Sequence, residues 1–262
     1  MNRMTQIFQR AKAVLVDLSG TLHIEDQVIP GCHEALSKLR KSGLKVKFVT
    51  NTTKEDLHSL HQRLIRLGFE IEENEIYTSL TAARQLLESE GSRPYLMLTE
   101  SAKKDFVGID TNVPNAVVVG LSSQHFRYEA MNYALRLLLD GASLIAINKA
   151  RYFKRPDGFA LGPGAFAAAL EYATDKKSTI VGKPEASFFL GAIKDLDCTP
   201  EECVMIGDDV RDDIDGAIKA KMEGILVQTG KYIAGDEDKI SLSKDCVAQD
   251  FSNAVDMILS SR

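Results

Sequence analysis

The 262-residue chain is 44% hydrophobic and 26% charged, with 32 Lys and Arg against 37 Asp and Glu and a formal net charge of −5. Ordinary globular composition at this length supports a sizeable core in one or two domains. The acidic balance argues against nucleic acid or an anionic membrane as the partner, because both select dense positive charge.

No apolar stretch approaches the length of a bilayer span, and the opening residues MNRMTQIFQRAK are too poor in apolar side chains for a secretory leader. A cytoplasmic protein with a small ligand is expected. Cys32, Cys198, Cys203 and Cys246 lack CxxC spacing, and a chain of this size needs no covalent staples, so reduced packing residues are expected. Any metal chemistry must then use oxygen.

In chain order, short Val- and Ile-rich runs alternate with helical patterns. AVLV is followed by a helix over about 33–41, then VKFVTN and a helix over about 54–67. After the turn IEENE and a helix over about 80–90 come YLMLT, AVVVGL, a helix over 128–140, LIAIN and the stretch LGPGAFAAALEYATDK. The last third resumes with STIVGKP, a helix over 185–196, CVMIGDD, a helix running from Asp213 to Ala220, and GILVQTG. This rhythm predicts parallel βαβ units. Strands end at Asp17, Thr50 and Asp208, and a fourth leads into Lys183. Ligands bind at the carboxyl ends of parallel strands, so these four positions are candidates for convergence.

Each motif has a plain structural reading beside a chemical one. In DLSGT, period-two alternation puts Asp17 and Ser19 on one side of the strand end and Gly20 permits a close turn, although Asp and Ser also cap ordinary turns. GDDVRDDID crowds Asp208, Asp209, Asp212, Asp213 and Asp215 around a helix start. The helix dipole accounts for one or two of these acids but not five, and an all-oxygen cluster suits Mg²⁺. VTNTT ends a strand where backbone N–H groups favour a phosphate, yet Thr and Asn are also common caps. Lys183 before Pro184 sits at a helix start, where a cation is out of place unless an anion is bound.

In this order, DLSGT, VTNTT, VGKP and GDDVRDD resemble the four motifs of the haloacid dehalogenase-like hydrolases, phosphatases with a Rossmann-like core. The insert between the second and third motifs, with RPDGFALGPGAFAAALE, resembles the α/β cap of that superfamily's type IIA branch. The resemblance implies a parallel-sheet α/β core over residues 1–83 and 181–262, with an inserted C2-type cap over 84–180 that closes over the site. It also offers the cap as a homodimer surface, which no sequence feature decides.

By the same resemblance Asp17 is the nucleophile that accepts the phosphoryl group, Thr50 holds a phosphate oxygen with Asn51 beside it, and Lys183 neutralises both. The implied substrate-binding set is Asp17, Leu18, Ser19, Thr50, Asn51 and Lys183. Mg²⁺ is the implied cofactor, held by Asp17, Asp208 and the main-chain carbonyl of Ser19, with Asp209 and Asp213 behind them. The family pattern has Asp at position 19, acting as acid and then base. Serine keeps the carbonyl but cannot move a proton, an effect worth about 10²–10⁴ in rate. Substrates with good leaving groups, such as phosphoramidates, pyrophosphate or aryl phosphates, are therefore expected. A weakly active or non-catalytic phosphate-binding regulator on the same scaffold is the alternative.

Three further signals are weaker. Gly162-Pro163-Gly164-Ala165-Phe166-Ala167 mimics a dinucleotide fingerprint, but no clear strand is expected to feed it and a proline occupies the turn. His58 and His61 have a spacing that can bind metal, yet both fit the wet side of an amphipathic helix. The basic run of Lys149, Arg151, Lys154 and Arg155 reads as a solvated face or as an attractor for an anionic substrate.

Overall fold

The computed structural model describes residues 8–155 and 158–261, with backbone alone for 153–155 and 159. Residues 1–7 of the opening MNRMTQIFQRAK, Pro156 and Asp157 of the RPDGF stretch, and the side chains of Lys154 and Arg155 lie outside the described residues. The chain runs through β1 (Ala13–Asp17), a hairpin of β2 (His23–Ile24) and β3 (Gln27–Val28), α1 (Cys32–Lys41), β4 (Lys45–Thr50), α2 (Leu57–Arg66), β5 (Ile76–Thr78) and α3 (Ser79–Glu90). It continues through β6 (Pro94–Met97), β7 (Ala116–Val119), α4 (Tyr128–Leu139), β8 (Ser143–Ala146), β9 (Tyr152–Arg155), β10 (Gly158–Leu161), α5 (Pro163–Thr174) and β11 (Thr179–Ile180). It closes with α6 (Ala186–Ala192), β12 (Cys203–Gly207), α7 (Gly216–Lys219), β13 (Glu223–Val227), β14 (Val247–Ala248) and α8 (Phe251–Ser260). The fold is α/β with parallel sheets, Rossmann-like in character.

Two compact units divide the chain. The first takes the residues up to Thr50, then His61–Tyr77, then Lys183 onward; the second takes Asn51–Leu60 and Thr78–Gly182. In the first unit a six-stranded sheet has the order β14-β13-β12-β1-β4-β5. The chain leaves β1 toward β4 on one side and later lays β12 on the other, both parallel to it. That reversal of strand order at β1 is the place where an open parallel sheet leaves a crevice at its carboxyl edge. Ala13–Asp17 is buried throughout, as expected for a central strand covered on both faces. Helix α1 buries Cys32, Ala35, Leu36 and Leu39 at helical spacing and packs on α8. Glu34 in its first turn and Lys38, Arg40 and Lys41 in its last suit the helix dipole.

The second unit has its own parallel sheet, β11-β8-β7-β6. Met97, Val117, Val119, Leu138, Leu144 and Leu170 form its core. Helix α2 begins at Leu57 rather than the expected 54 because Asp56 accepts from Ser59 N at 3.0 Å and Ser59 Oγ at 2.7 Å, a cap that sets the start. The Gly162 stretch corrects one expectation. A strand, β10, does feed it, but β10 pairs antiparallel with β9 in a two-stranded ribbon. It is therefore not the first strand of a βαβ nucleotide unit. Gly162 and Gly164 are small because a Cβ at either would press to within 2.1 Å of Ala150 O or 2.5 Å of Lys149 O. All four cysteines are free thiols, and no helix among the described residues is long and apolar enough to cross a membrane.

Glu171 ties α5 to the start of β11: it accepts from Lys149 Nζ at 2.7 Å, Ser178 N at 2.9 Å and Ser178 Oγ at 2.7 Å. Burial pushes its carboxyl up, but the Lys149 ammonium and the two Ser178 donors outweigh that and hold it at about 2. A folded-state value below the unfolded one means that the stabilisation is complete above the ordinary glutamate range and is lost as pH falls toward about 2. Glu171→Gln is expected to cost about 1–3 kcal/mol at pH 7. Urea titrations at pH 7, 5 and 3.5 should show the gap between variant and wild type closing on acidification; a constant gap contradicts the assignment.

Candidate functional site

The carboxyl ends of β1, β4 and β12 bring together residues far apart in the chain. Asp17 is the last residue of β1, and opposite it in register lies Val49, one residue before Thr50 at the end of β4. Asp208 follows directly on β12. Into this group comes Lys183, whose Nζ donates to Asp17 Oδ1 and to Asp213 Oδ1, each at 2.6 Å, and to the Val49 carbonyl at 3.4 Å. Lys183 is 4% exposed. Burial alone pulls an ammonium toward neutrality, but the two carboxylates reverse that and raise its pKa above the ordinary lysine value. The anion that the sequence required beside this lysine includes the protein's own two acids.

Each carboxylate is fixed on more than one side. Asp213 Oδ2 accepts from Asp209 N at 3.0 Å, and Asp17 Oδ2 accepts from Thr21 Oγ1 at 3.3 Å. Gly207 leaves room for this, since a Cβ there would stand 2.3 Å from Asp213 Oδ2. Asp208 Oδ2 accepts from the backbone N–H of Lys231 at 2.7 Å. Gly20 at φ 99° and Gly230 at φ 56° close on the same carboxylate, and a Cβ on either would lie 2.0 Å from Asp208 Oδ2. Thr229 Oγ1 donates to Gly20 O at 2.5 Å and latches the two loops together.

The acidic run resolves into separate tasks. Asp208 and Asp213 are buried beside Asp17, and one oxygen from each of the three lies within 4.8 Å of the others. Asp209 caps the tight π-helical turn Val210–Asp215, accepting from Arg211 N and Asp212 N at 3.0 Å, and Lys231 Nζ donates to its other oxygen at 3.2 Å. Asp215 pairs with Lys219 at 2.6 Å one helical turn on. The expected regular helix from Asp213 to Ala220 is thus a π turn followed by the short α7.

The donor set fits a hard divalent cation. Burial, reinforced by the neighbouring Asp17 carboxylate, raises Asp208 to about 7. Such crowding of anions is what a bound divalent ion relieves, and oxygen-only ligands select Mg²⁺ or its like. Leu18 is buried behind Asp17, whereas Ser19 lies past the strand end and is exposed. The strand alternation therefore stops at Asp17. Asn51 falls in the second compact unit, where its carbonyl accepts from Asn148 Nδ2 at 3.4 Å and its side-chain oxygen lies against Gly182.

Sequence reasoning missed Thr21, Thr229, Gly230 and Lys231. The one available signal was the TG pair after the strand GILVQ, which marks a turn at a carboxyl edge. His61 is structural: its Nε2 lies 2.7 Å from the Ile71 carbonyl.

Comparison with known proteins shows the family to which the chain belongs. Residues 14–111 match the family model described as haloacid dehalogenase-like hydrolase, and residues 180–254 match a second model of the same kind. The chain is 60% identical over 248 residues to haloacid dehalogenase-like hydrolase domain-containing protein 2 of Rattus norvegicus, covering 95% of this chain and 96% of that one. It is 37% identical to the phospholysine phosphohistidine inorganic pyrophosphate phosphatase of Xenopus laevis, over 96% of each chain. Among solved structures, the p-nitrophenyl phosphatase from Archaeoglobus fulgidus superposes with a TM-score of 0.87 at 25% identity, covering 94% of this chain and 98% of that one.

Removing the Lys183 ammonium leaves Asp17 and Asp213 as buried, unbalanced charges. Lys183→Met should lose about 3–5 kcal/mol of stability in urea titration at pH 7. The double variant Lys183→Met/Asp213→Asn should recover part of it. A single variant within the error of wild type contradicts the ion-pair description.

Proposed function

The chain belongs to the haloacid dehalogenase-like hydrolases and is a phosphohydrolase of that family; from that premise we propose that it carries a phosphoryl group on Asp17, uses Mg²⁺, and prefers substrates whose leaving group departs without an added proton. The observation that carries this reading is the buried Lys183 ammonium, 2.6 Å from an oxygen of both Asp17 and Asp213. A carboxylate nucleophile divides one hard displacement into two easier ones, and a fixed ammonium offsets the repulsion between that carboxylate and an incoming phosphate.

The residues divide the work. Asp17 presents an oxygen to phosphorus, while Lys183 and Thr50 hold the transferring oxygens and Leu18, Ser19 and Asn51 complete the phosphate pocket. Asp213 orients Lys183, and Asp209 steadies the turn that carries Asp213. Asp17, Asp208 and the Ser19 carbonyl are the ligands proposed for Mg²⁺. When bound, the ion supplies positive charge to the phosphoryl oxygens and fixes their orientation. On this reading the core comprises residues 1–83 and 181–262 and the cap 84–180, with the cap as a homodimer surface and the cytoplasm as the site of action.

Ser19 defines the substrate class. A hydroxyl neither gives a proton to a departing alkoxide nor takes one from water in the second step. Phosphoramidates, pyrophosphate and aryl phosphates avoid the first difficulty. The second difficulty favours a slow return to free enzyme, and so supports a second reading as a phosphate-binding regulator with residual turnover.

Two measurements test these readings. Asp17→Asn should lower Mg²⁺-dependent phosphate release about 10³-fold or more. Sustained release by wild type well beyond one equivalent favours the enzyme, and a single stoichiometric burst favours the regulator. Ser19→Asp should raise hydrolysis of a simple alkyl phosphate about 10²-fold and that of an aryl phosphate much less. Equal effects on both refute the missing-acid account.

A further inference from the structure

The buried floor of the site contrasts with its rim. Asp17, Lys183, Asp208 and Asp213 are all buried, but Ser19 and Lys231 are exposed. The two exposed residues are neighbours through their glycines: a Cβ on Gly230 would lie 2.5 Å from Gly20 Cα, so the Ser19-Gly20 and Gly230-Lys231 steps stand against each other. Lys231 is anchored at this rim at both ends. Its backbone N–H donates to Asp208 Oδ2 at 2.7 Å and its ammonium to Asp209 Oδ2 at 3.2 Å. Its side chain is nevertheless 67% exposed.

A cation held beside the floor but facing water is not needed for the fold. Exposed ion pairs contribute little stability, and the turn that Asp209 caps already has two backbone donors on Oδ1. Lys183 serves the transferring phosphoryl group from below. Lys231 stands on the open side, beside the residue where the family's proton donor is missing. Charge developing on a departing group can be balanced there by a fixed ammonium instead of by a proton.

We propose that Lys231 is a specificity-determining residue that receives an anionic leaving group, and that the favoured substrate class is accordingly a diphosphate in which phosphate itself departs. This rests on the reading of Asp17 as nucleophile. For hydrogen pyrophosphate, an Asp17 oxygen forms a bond to the distal phosphorus and the bridging P–O bond breaks, its electron pair leaving with hydrogen phosphate. The proton is already on a non-bridging oxygen of that group, so none is required from residue 19. Water then attacks the phosphorus on Asp17, the Asp17 O–P bond breaks with its electrons returning to the carboxylate, and of the two water protons one stays on the second phosphate and one passes to solvent. Pyrophosphate plus water gives two phosphates.

The test compares inorganic pyrophosphate with p-nitrophenyl phosphate in wild type, Lys231→Met and Lys231→Arg. The two leaving groups have comparable basicity but different charge and shape, so a defect in proton transfer weighs on both alike whereas loss of Lys231 does not. Lys231→Met keeps the backbone N–H on Asp208. It should lower kcat/KM for pyrophosphate about tenfold, and that for p-nitrophenyl phosphate less than about threefold. Lys231→Arg should restore most of the difference, with thermal midpoints unchanged throughout. Calorimetric titration with imidodiphosphate, which is not cleaved, should show about tenfold weaker binding to Lys231→Met. Equal losses on both substrates overturn the proposal, as does hydrolysis of p-nitrophenyl phosphate but not pyrophosphate by wild type; either leaves the phosphohydrolase reading intact. Wild type inactive on both removes that reading, and equal imidodiphosphate binding by wild type and Lys231→Met then independently removes this one.

Discussion

A single buried ammonium organises the first compact unit. Lys183 touches a carboxylate from β1, a carboxylate from the turn after β12 and the carbonyl of Val49 near the end of β4. Residues 17, 49, 183 and 213 thereby meet although they are scattered over most of the chain. An unpaired charge buried this deeply carries a penalty of several kcal/mol. Arrangements that separate Lys183 from either acid while leaving the charges buried are therefore disfavoured, which makes the ion pair a device of specificity more than of net stability. The surrounding glycines follow from it. Gly207, Gly20 and Gly230 are positions where a Cβ would collide with the very carboxylates that the lysine and the backbone hold in place.

The same constraint separates a dry floor from a wet rim. Below, every charged group has a partner that the fold dictates. Above, Ser19 and Lys231 extend into solvent from two loops latched by the Thr229 hydroxyl on the Gly20 carbonyl. On the proposed reading, groups that handle the transferring phosphoryl are held in place by burial and pairing, while those that meet the rest of the substrate face solvent. Position 19 and position 231 then form a complementary pair. Where a proton donor is absent, a nearby permanent cation can balance the leaving charge, provided that the leaving group arrives already able to bear it.

Much of this was legible in the sequence because the strands are continuous apolar runs that stop on polar residues. Ala13–Asp17, Lys45–Thr50 and Cys203–Gly207 lie where the pattern puts them, and their carboxyl ends carry Asp17, Thr50 and Asp208. The convergence on Lys183 was legible as an anomaly, a cation at a helix start, and as one of four positions that the strand ends and the family resemblance put together. The edge strands β5 and β14 and the hairpins β2–β3 and β9–β10 were not legible. They are two to four residues long, too short for a period of two to stand out from a turn. The π turn at 210–215 escaped for a different reason. Its residues read as the start of a regular helix, whereas the backbone follows the demands of Asp209 as a cap and of Asp213 as a partner of Lys183.

The five acids after Gly207 show why counting charges is a poor guide to a site. Only Asp208 and Asp213 join Asp17 in the buried cluster; Asp209 is occupied by backbone N–H groups and Lys231, and Asp215 by Lys219. Their crowding is eased where carboxylates on this segment face different partners, yet burial together with like-charged neighbours still raises Asp208, Asp212 and Asp213. In Asp208, burial first and the Asp17 carboxylate second raise the carboxyl to about 7. Lys183 donates to Asp17 and Asp213, whereas Asp208 accepts a backbone N–H from Lys231. On the proposed reading Asp17 and Asp208 would hold a divalent cation, which would supply positive charge to this cluster, while Asp213 pairs with Lys183.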